Sequence, residues 1–138
     1  MDKVSIVIPA YNEQEVIASL LQKLVSINKG NTYEIIVVDD GSTDDTGLIA
    51  RNSGVNVIRH PYNKGYGAAI KTGIRNSQYD LIVIIDGDGT YSAEDIPKLM
   101  EHLGTCDMVV GARTGQTVKI PFIRWPAKWL INQLVNYL

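Results

Sequence analysis

The sequence predicts an α/β fold with a doubly wound, mostly parallel sheet of Rossmann-like topology. Short apolar runs typical of strands alternate along the chain with stretches whose apolar residues recur at helical spacing. Strand, helix and strand in this order form parallel pairs joined by right-handed crossovers. The predicted strands span residues 4–8, 34–38, 55–58, 81–85 and 108–110.

Helices are predicted after each of the first four strands, and three of them have a polar residue suited to cap the first turn. These residues are Asn12, Ser42 and Ser92, each followed three residues later by an acid. In such sheets, ligands bind beyond the carboxyl ends of the strands, where the strand order reverses. A strand order of 3-2-1-4 would bring residues 9–13, 39–40 and 86–88 to one pocket.

Two aspartates, Asp86 and Asp88, directly follow the run 81–85, which is typical of a strand buried on both faces of a parallel sheet. Neighbouring carboxylates repel each other unless a cation neutralises them, and oxygen ligands suit hard ions such as Mg²⁺ or Mn²⁺. The alternative is an ordinary acidic turn, because Asp and Gly are common turn formers. A second acidic strand end, at Asp39 and Asp40, favours a metal-diphosphate site.

The composition indicates one globular domain. Of the 138 residues, 45% are hydrophobic and 20% are charged, which is typical neither of disordered nor of fibrous chains. The single cysteine excludes an internal disulfide. The sequence shows neither a secretory leader nor an apolar stretch near the ~20 residues that span a bilayer, so a cytoplasmic protein is expected. All 15 acidic residues precede Arg113, and this acidic body argues against nucleic-acid binding.

The segment that begins at Arg113 differs from the rest, because it contains four basic residues and no acid. From Pro126 onward its apolar residues form a helical stripe: Ala127, Leu130, Ile131, Leu134, Val135 and Leu138. We expect this stripe to pack on the core or on a second copy of the chain, which would give a homo-oligomer. Trp125, Trp129 and Tyr137 leave open a contact with a membrane surface.

Four motifs in order resemble those of the family-two glycosyltransferases of the GT-A fold, in particular the polyprenyl-phosphate (dolichyl-phosphate) mannose and glucose synthase group. They are VSIVIPAYNE at 4–13, VVDDGSTD at 37–44, NKGYG at 63–67 and DGDG at 86–89. The resemblance implies an inverting, metal-dependent hexosyltransferase with Mg²⁺ or Mn²⁺ as cofactor. It would move the sugar of a UDP- or GDP-linked donor to an acceptor such as polyprenyl phosphate, at the cytoplasmic face of a membrane.

On the nucleotide side, the resemblance places Pro9, Tyr11 and Glu13 at the border of the nucleotide. Asp39 would bond the base or the ribose, with Asp40 beside it in the same pocket. Carboxylate acceptors suit the imino groups of bases and the hydroxyls of ribose.

On the metal side, the resemblance places Asp86 near the ribose and the metal, and Asp88, after Gly87, on the ion that joins the two phosphates. That ion would stabilise the charge that develops on the leaving diphosphate. Lys64 lies in a glycine-bracketed loop before a helix, where its side chain would approach a phosphate. The resemblance places Arg113 near the donor phosphates or the acceptor. The alternative for both is a solvated surface cation.

The resemblance also divides the chain. Residues 1–113 would form the nucleotide-sugar-binding core, and residues 114–138 a basic linker and an amphipathic helix that begin the acceptor or membrane-proximal region. The acceptor region of the family lies beyond residue 138, so no catalytic base is assigned.

Two other functions compete with glycosyl transfer. Residues 65–72 suggest a P-loop nucleotide hydrolase, but Ile70 stands where G-x-x-x-x-G-K-[ST] requires its second glycine. The other alternative is a non-catalytic module that binds a sugar nucleotide in the same pocket and does not transfer the sugar. His60 and His102 lack metal-ligand spacing, and we expect them in loops or at the surface.

Overall fold

The structure is a computed structural model, and it describes residues 3–28, 30, 32–103 and 105–111. Its strands are β1 (Val4–Ala10), β2 (Tyr33–Asp39), β3 (Asn56–Arg59) and β4 (Leu81–Ile84). Its helices are α1 (Ile17–Ile27), α2 (Thr46–Asn52), α3 (Tyr66–Arg75) and α4 (Ile96–Met100), with a 3₁₀ turn at Ala93–Asp95 before α4. The strands form one parallel sheet in the order β3-β2-β1-β4. This confirms the predicted fold class, and the order is the 3-2-1-4 arrangement that would bring the acidic strand ends together.

Strand β1 is buried along its whole length because it has a neighbour on each side. Val4 pairs with Tyr33 of β2 and with Leu81 of β4, and Ala10 pairs with Asp39. This register aligns the carboxyl ends of β1 and β2. The loops that follow these two strands therefore start side by side.

Helices cover both faces of the sheet, as the doubly wound topology requires. Helix α1 packs on one face through side chains at helical spacing: Ile17, Leu20, Leu21 and Leu24. On the other face, Ala69 of α3 packs with Ile36 and Val38 of β2. Each fully buried aliphatic side chain contributes about 1.5–3 kcal/mol, so these layers fix the strand ends that border the site.

One predicted strand does not form, and another is less buried than predicted. Residues 108–110 do not form a strand, and Met108 and Val110 are 77% and 70% exposed. Three apolar residues need a neighbouring strand to bond their backbone, and among the described residues β4 pairs only with β1. The run 81–85 is not buried on both faces either, since Ile84 is 46% exposed at this edge of the described sheet.

Two of the predicted helix caps are also wrong. Asn12 does not cap α1, which begins at Ile17; with a φ of +56°, Asn12 instead turns the chain after β1. Ser42 lies too far from α2, whose N-cap is Asp45. Ser92 directly precedes the 3₁₀ turn that leads into α4, as predicted, but its hydroxyl donates to the Glu94 carboxylate and makes no capping hydrogen bond to the backbone.

Residues 112–138 lie outside the described residues. The predicted role of Arg113 and the predicted amphipathic helix fall in this segment. Within the described ranges the longest helix has 11 residues. No helix there has the length and apolar character that crossing a membrane requires.

Candidate functional site

A cleft of about 390 Å³ opens at the carboxyl edge of the sheet, within the usual size range of small-ligand sites. The end of β1, the segments that follow the four strands, and α3 line it: Pro9, Ala10, Tyr11, Glu13, Asp40, Asn63, Tyr66, Ala69, Asp86, Gly87 and Asp88. Seven of the ten site residues expected from the sequence are thus brought together. Asp39 and Lys64 are not part of the lining, and Arg113 lies outside the described residues.

Hydrogen bonds between the loops after β1 and β2 shape one wall of the cleft. Asn12 Oδ1 accepts a hydrogen bond from the backbone N–H of Thr43 at 2.9 Å. The backbone N–H of Glu13 donates to Thr46 Oγ1 at 2.8 Å. These contacts fix the backbone that presents Tyr11 and Glu13, and Tyr11 is 43% exposed.

The Asp40 carboxylate joins three segments of the site. Its Oδ1 accepts from His60 Nδ1 at 2.6 Å and from the backbone N–H of Lys64 at 2.9 Å, and its Oδ2 accepts from the N–H of Gly65 at 2.8 Å. Burial alone would raise the pKa of Asp40, but these hydrogen bonds outweigh it and hold that pKa below its ordinary value. Asp40 is therefore an ionised hydrogen-bond acceptor in the wall of the cleft.

Gly41 permits the end of β2 to approach the loop after β3. Its φ is +73°, and a Cβ at this position would lie 2.4 Å from the carbonyl carbon of Tyr62. Such a distance is far inside van der Waals contact, so only glycine fits without a backbone shift. The close approach places residues 61–65 against Asp40 and brings Asn63 into the wall of the cleft.

Asp39 has a different environment from its neighbour Asp40. Its side chain is fully buried, with Oδ1 accepting from the backbone N–H of Ser42 at 2.9 Å. Its Oδ2 lies 3.4 Å from Arg59 Nε and accepts no hydrogen bond from the described residues. Gly47 makes room for this oxygen, because a Cβ there would lie 2.2 Å from it. A base or ribose could reach Asp39 only if its side chain left the interior.

The turn after β4 presents two carboxylates to the cleft. The backbone N–H of Gly87 donates to the carbonyl oxygen of Pro9 at 3.3 Å, which holds the turn against the end of β1. Asp86 Oδ1 accepts from the hydroxyl of Tyr66 at 2.7 Å. These two hydrogen bonds therefore hold the turn with Asp86 and Asp88 against β1 and α3.

Negative charge accumulates in the cleft. Burial raises the pKa of Glu13, and the charges of Asp88 and Asp44 raise it further. The hydrogen bond to Asp86, followed by burial, raises the pKa of Tyr66 to about 12. Burial and hydrogen bonding are the largest causes, and the smaller electrostatic contributions of Asp86 and Asp88 come from negative charge that a bound cation would neutralise.

The oxygen donors of this turn fit a hard divalent cation that shares its coordination with a phosphate ligand. Mg²⁺ in nucleotide sites is commonly held by one or two carboxylates together with substrate phosphates and water. In the part of the chain that the structure describes, no group of three or more His, Cys, Asp or Glu side chains could hold an ion by itself. Asp86 and Asp88 would be the protein's share of the ligands.

Lys64 lies beside the cleft rather than in its lining. Its backbone N–H bonds Asp40, while its exposed side chain places Nζ 5.7 Å from the ring centroid of Tyr62. Because the Lys64 side chain is exposed, it can change its conformation to meet a phosphate bound in the cleft.

Three residues that line the cleft were not assigned to it from the sequence: Asn63, Tyr66 and Ala69. His60 lies in the loop after β3, as expected, but it is not a solvated side chain, because it is 6% exposed and bonded to Asp40. Its contact with the site was not predicted. A signal was available, since His60 directly follows β3 and the carboxyl ends of parallel strands meet at one edge.

Comparison with known proteins agrees with this architecture. Residues 5–137 match the family model described as Glycosyl transferase family 2. The chain belongs to this family. Among its curated relatives is the undecaprenyl-phosphate 4-deoxy-4-formamido-L-arabinose transferase of Pseudomonas fluorescens, 38% identical over 96% of this chain and 41% of that protein. An uncharacterized glycosyltransferase of Mycobacterium bovis is 36% identical over 91% of this chain and 53% of that protein.

Solved structures of glycosyltransferases share the fold of this family-two chain. The glucosyl-3-phosphoglycerate synthase of Mycobacterium tuberculosis, in complex with Mn²⁺, UDP and glucosyl-3-phosphoglycerate, has a TM-score of 0.66 and 32% identity, over 75% of this chain and 40% of that one. A mannosyltransferase of Pyrobaculum calidifontis, in complex with GDP-mannose and Mn²⁺, has a TM-score of 0.61 and 26% identity, over 67% of this chain and 29% of that one. The GT-A fold expected from the motifs is confirmed.

Family membership also decides against the P-loop interpretation. Residues 66–72 of the suggested P-loop belong to helix α3, so they do not form a phosphate-binding loop before a helix. The chain spans about half or less of the length of the curated relatives named above, 53% and 41%.

Proposed function

We propose that this family-two chain binds the donor in an inverting, metal-dependent hexosyltransferase. The donor would be a UDP- or GDP-linked sugar, and the acceptor a lipid phosphate such as polyprenyl phosphate. One observation supports this above all: the cleft joins an ionised carboxylate, Asp40, to the Asp86-Gly87-Asp88 turn. The nucleotide base would use the Asp40 carboxylate as a hydrogen-bond acceptor. The metal-bound diphosphate would use the carboxylates of the turn.

The nucleotide would lie along the walls formed after β1 and β2. Tyr11 offers a partly exposed aromatic side chain, and Pro9 and Glu13 line the same wall. Both aspartates are buried, but Asp40 lines the cleft and Asp39 does not, so Asp40 would accept a hydrogen bond from the base or ribose. A carboxylate that only accepts hydrogen bonds suits the imino N–H of a uracil or guanine base.

The diphosphate would lie over the turn after β4. A divalent cation bound there would neutralise the charge that develops on the leaving diphosphate. Asp88 and Asp86 would bind that ion, and the Tyr66 hydroxyl would orient Asp86. The presence of Mn²⁺ with UDP or GDP-mannose in structurally similar glycosyltransferases supports this placement.

A lipid phosphate is the acceptor that the relatives support best, because several are named as undecaprenyl-phosphate sugar transferases. Such an acceptor would keep the protein at the cytoplasmic face of a membrane. Lys64 at the rim of the cleft, and Arg113, would then approach the phosphates of donor or acceptor. The phosphoglycerate derivative bound by a structural neighbour makes a soluble phosphate the alternative acceptor.

Isothermal titration calorimetry with UDP, GDP and ATP, each with and without Mn²⁺, tests the donor half of the proposal. We expect one nucleoside diphosphate, UDP or GDP, to bind with Mn²⁺ and much more weakly without it. Binding of ATP alone, with hydrolysis, would contradict the proposal. Transfer of radiolabelled sugar to polyprenyl phosphate or to phosphoglycerate tests the acceptor half, and donor binding without transfer to either would favour a non-catalytic binding module.

A further inference from the structure

A hydrogen-bond chain from α3 to the cleft ends on Asp40. His60 Nδ1 lies 2.6 Å from Asp40 Oδ1, and His60 Nε2 lies 2.9 Å from Thr72 Oγ1. The side chains of His60 and Asp40 are only 7% and 4% exposed. His60 itself does not line the cleft, so donor binding as proposed above leaves this buried histidine without a role.

The geometry fixes the orientation of the imidazole ring. An ionised carboxylate has no hydrogen to donate, so Nδ1 must be the nitrogen that donates to Asp40. The Thr72 hydroxyl can either donate to Nε2 or accept from it. Both ring nitrogens therefore have partners, and turning the ring would leave buried polar atoms unpaired, which is costly in a low-dielectric interior.

Asp40 in turn fixes a loop of the cleft. It accepts the backbone N–H groups of Lys64 and Gly65, and Asn63 in the same loop lines the cleft. A carboxylate has about four acceptor positions. Three of them are filled by donors of the described residues, so an acceptor position on Oδ2 remains for a ligand.

We propose that His60 is a positioning residue of the nucleotide site: with Thr72 behind it, His60 fixes the Asp40 carboxylate, and through Asp40 the loop of residues 61–65, for binding of a nucleoside diphosphate. This inference rests on the proposed donor site, and it adds a residue that touches neither the nucleotide nor the metal. The link runs from helix α3 through the end of β3 to the end of β2.

Amide hydrogen exchange of the ligand-free protein tests the positioning by itself. In His60→Leu, we expect the amides of Lys64 and Gly65 to exchange roughly tenfold faster or more, because loss of a hydrogen bond to a charged group frees the carboxylate that holds them. His60→Asn should restore slow exchange, because its Nδ2 lies as many bonds from Cα as the Nδ1 of histidine. His102→Leu, at an exposed histidine, is the matched control and should leave both amides unchanged.

Nucleotide affinity tests the functional part. With Mn²⁺ present, His60→Leu should weaken binding of UDP or GDP roughly tenfold or more, and His60→Asn should recover most of it. In an Asp40→Asn background, His60→Leu should cause little further loss, since both act through one carboxylate. Binding of Mn²⁺ alone, followed by electron paramagnetic resonance, should not change, because Asp86 and Asp88 are untouched.

Two results would contradict the proposed role of His60. Unchanged exchange at Lys64 and Gly65 in His60→Leu, or equal affinities of the Leu and Asn variants, would overturn the role of His60. If His60→Leu does not fold, Thr72→Val supplies the test, with a smaller acceleration expected at the same two amides. If the wild-type chain binds neither UDP nor GDP, the proposed function fails, and the exchange data still decide whether His60 positions Asp40.

Discussion

The Tyr66 hydroxyl donates a 2.7 Å hydrogen bond to Asp86 Oδ1, so the first residue of α3 holds a carboxylate of the turn after β4. This contact joins a helix on one face of the sheet to the end of β4, at the edge of the described part of the sheet. It is also the largest cause of the raised pKa of Tyr66, about 12. The titration of Tyr66 therefore reports on the charge of Asp86.

We expect Asp86→Asn to lower the pKa of Tyr66 from about 12 toward its ordinary value of 10.0, because the amide has no charge to disfavour the phenolate. Alkaline spectrophotometric titration measures this, with the Tyr66→Phe counterpart of each protein subtracted to isolate one of the seven tyrosines. The folded pKa lies above the unfolded one. The contact thus stabilises the fold below about pH 10, and that contribution is lost as the pH rises through about 12. Titration near 12 in both proteins would contradict the assignment.

We expect Asp88→Ala to remove the gain in nucleoside diphosphate affinity that Mn²⁺ provides. The loss should exceed the roughly 10–100-fold that removal of an outer-shell partner costs a metal site, because a direct anionic ligand is deleted. The matched control is Asp80→Ala, because Asp80 is also exposed but directly precedes β4, at the opposite end of that strand from Asp88. Calorimetry with and without Mn²⁺ measures both variants. Equal Mn²⁺ dependence in the Asp88 and Asp80 variants would exclude Asp88 as a ligand.

The sequence predicted the strand order and most of the cleft because these depend on local pattern. Alternating strands and helices determine the parallel sheet, and acidic residues at strand ends must then meet at one edge. The sequence could not separate Asp39 from Asp40, since neighbouring side chains of a strand point to opposite faces and the pattern does not say which face is open. The role of Asn12 was missed for a related reason, because its partner Thr43 is 31 residues away.

We expect Gly41→Ala to destabilise the fold more than Gly54→Ala does. Both glycines have a positive φ, +73° and +75°, but only at Gly41 would a Cβ meet other atoms, the backbone of Tyr62. The left-handed backbone costs about 1–3 kcal/mol at either site, and the clash at Gly41 adds about 1–3 kcal/mol. Urea denaturation measures both free energies of unfolding. Equal losses would show that the loop after β3 moves aside without cost.

Stability at acid pH should depend on Asp40. The pKa of Asp40 is lowered in the folded protein, so its stabilising contribution is present above the unfolded pKa, about 4, and is lost as the pH falls through the lowered folded value. Thermal unfolding of the wild type from pH 7 to pH 2 should therefore show a steeper fall than that of Asp40→Asn. Asp44, whose pKa is also lowered, acts in the same direction in both proteins, so the difference between the curves isolates Asp40. Parallel curves would contradict the hydrogen-bond pattern at Asp40.

Asp39→Asn and Asp40→Asn should separate stability from binding. Asp39 is fully buried, with Oδ1 bonded to the N–H of Ser42 and Oδ2 3.4 Å from Arg59 Nε, so its amide variant removes the negative charge that faces this guanidinium. We expect a loss of about 1–3 kcal/mol in the free energy of unfolding, with unchanged nucleotide affinity of the folded protein. Asp40→Asn should weaken UDP or GDP binding by about 1–3 kcal/mol with or without Mn²⁺, because the proposed bond is to base or ribose and not to the ion.

Calorimetry at a temperature where both variants stay folded, beside urea denaturation of each, distinguishes the two residues. If Asp39→Asn weakens binding and Asp40→Asn does not, then the side chain of Asp39 must leave the interior when a nucleotide binds, and the closed arrangement around Gly47 belongs to the ligand-free state alone. If Asp40→Asn weakens binding only with Mn²⁺, Asp40 acts on the metal side of the cleft. Either result would contradict the placement of Asp40 on the nucleotide side of the cleft, where it is bonded through His60 to α3.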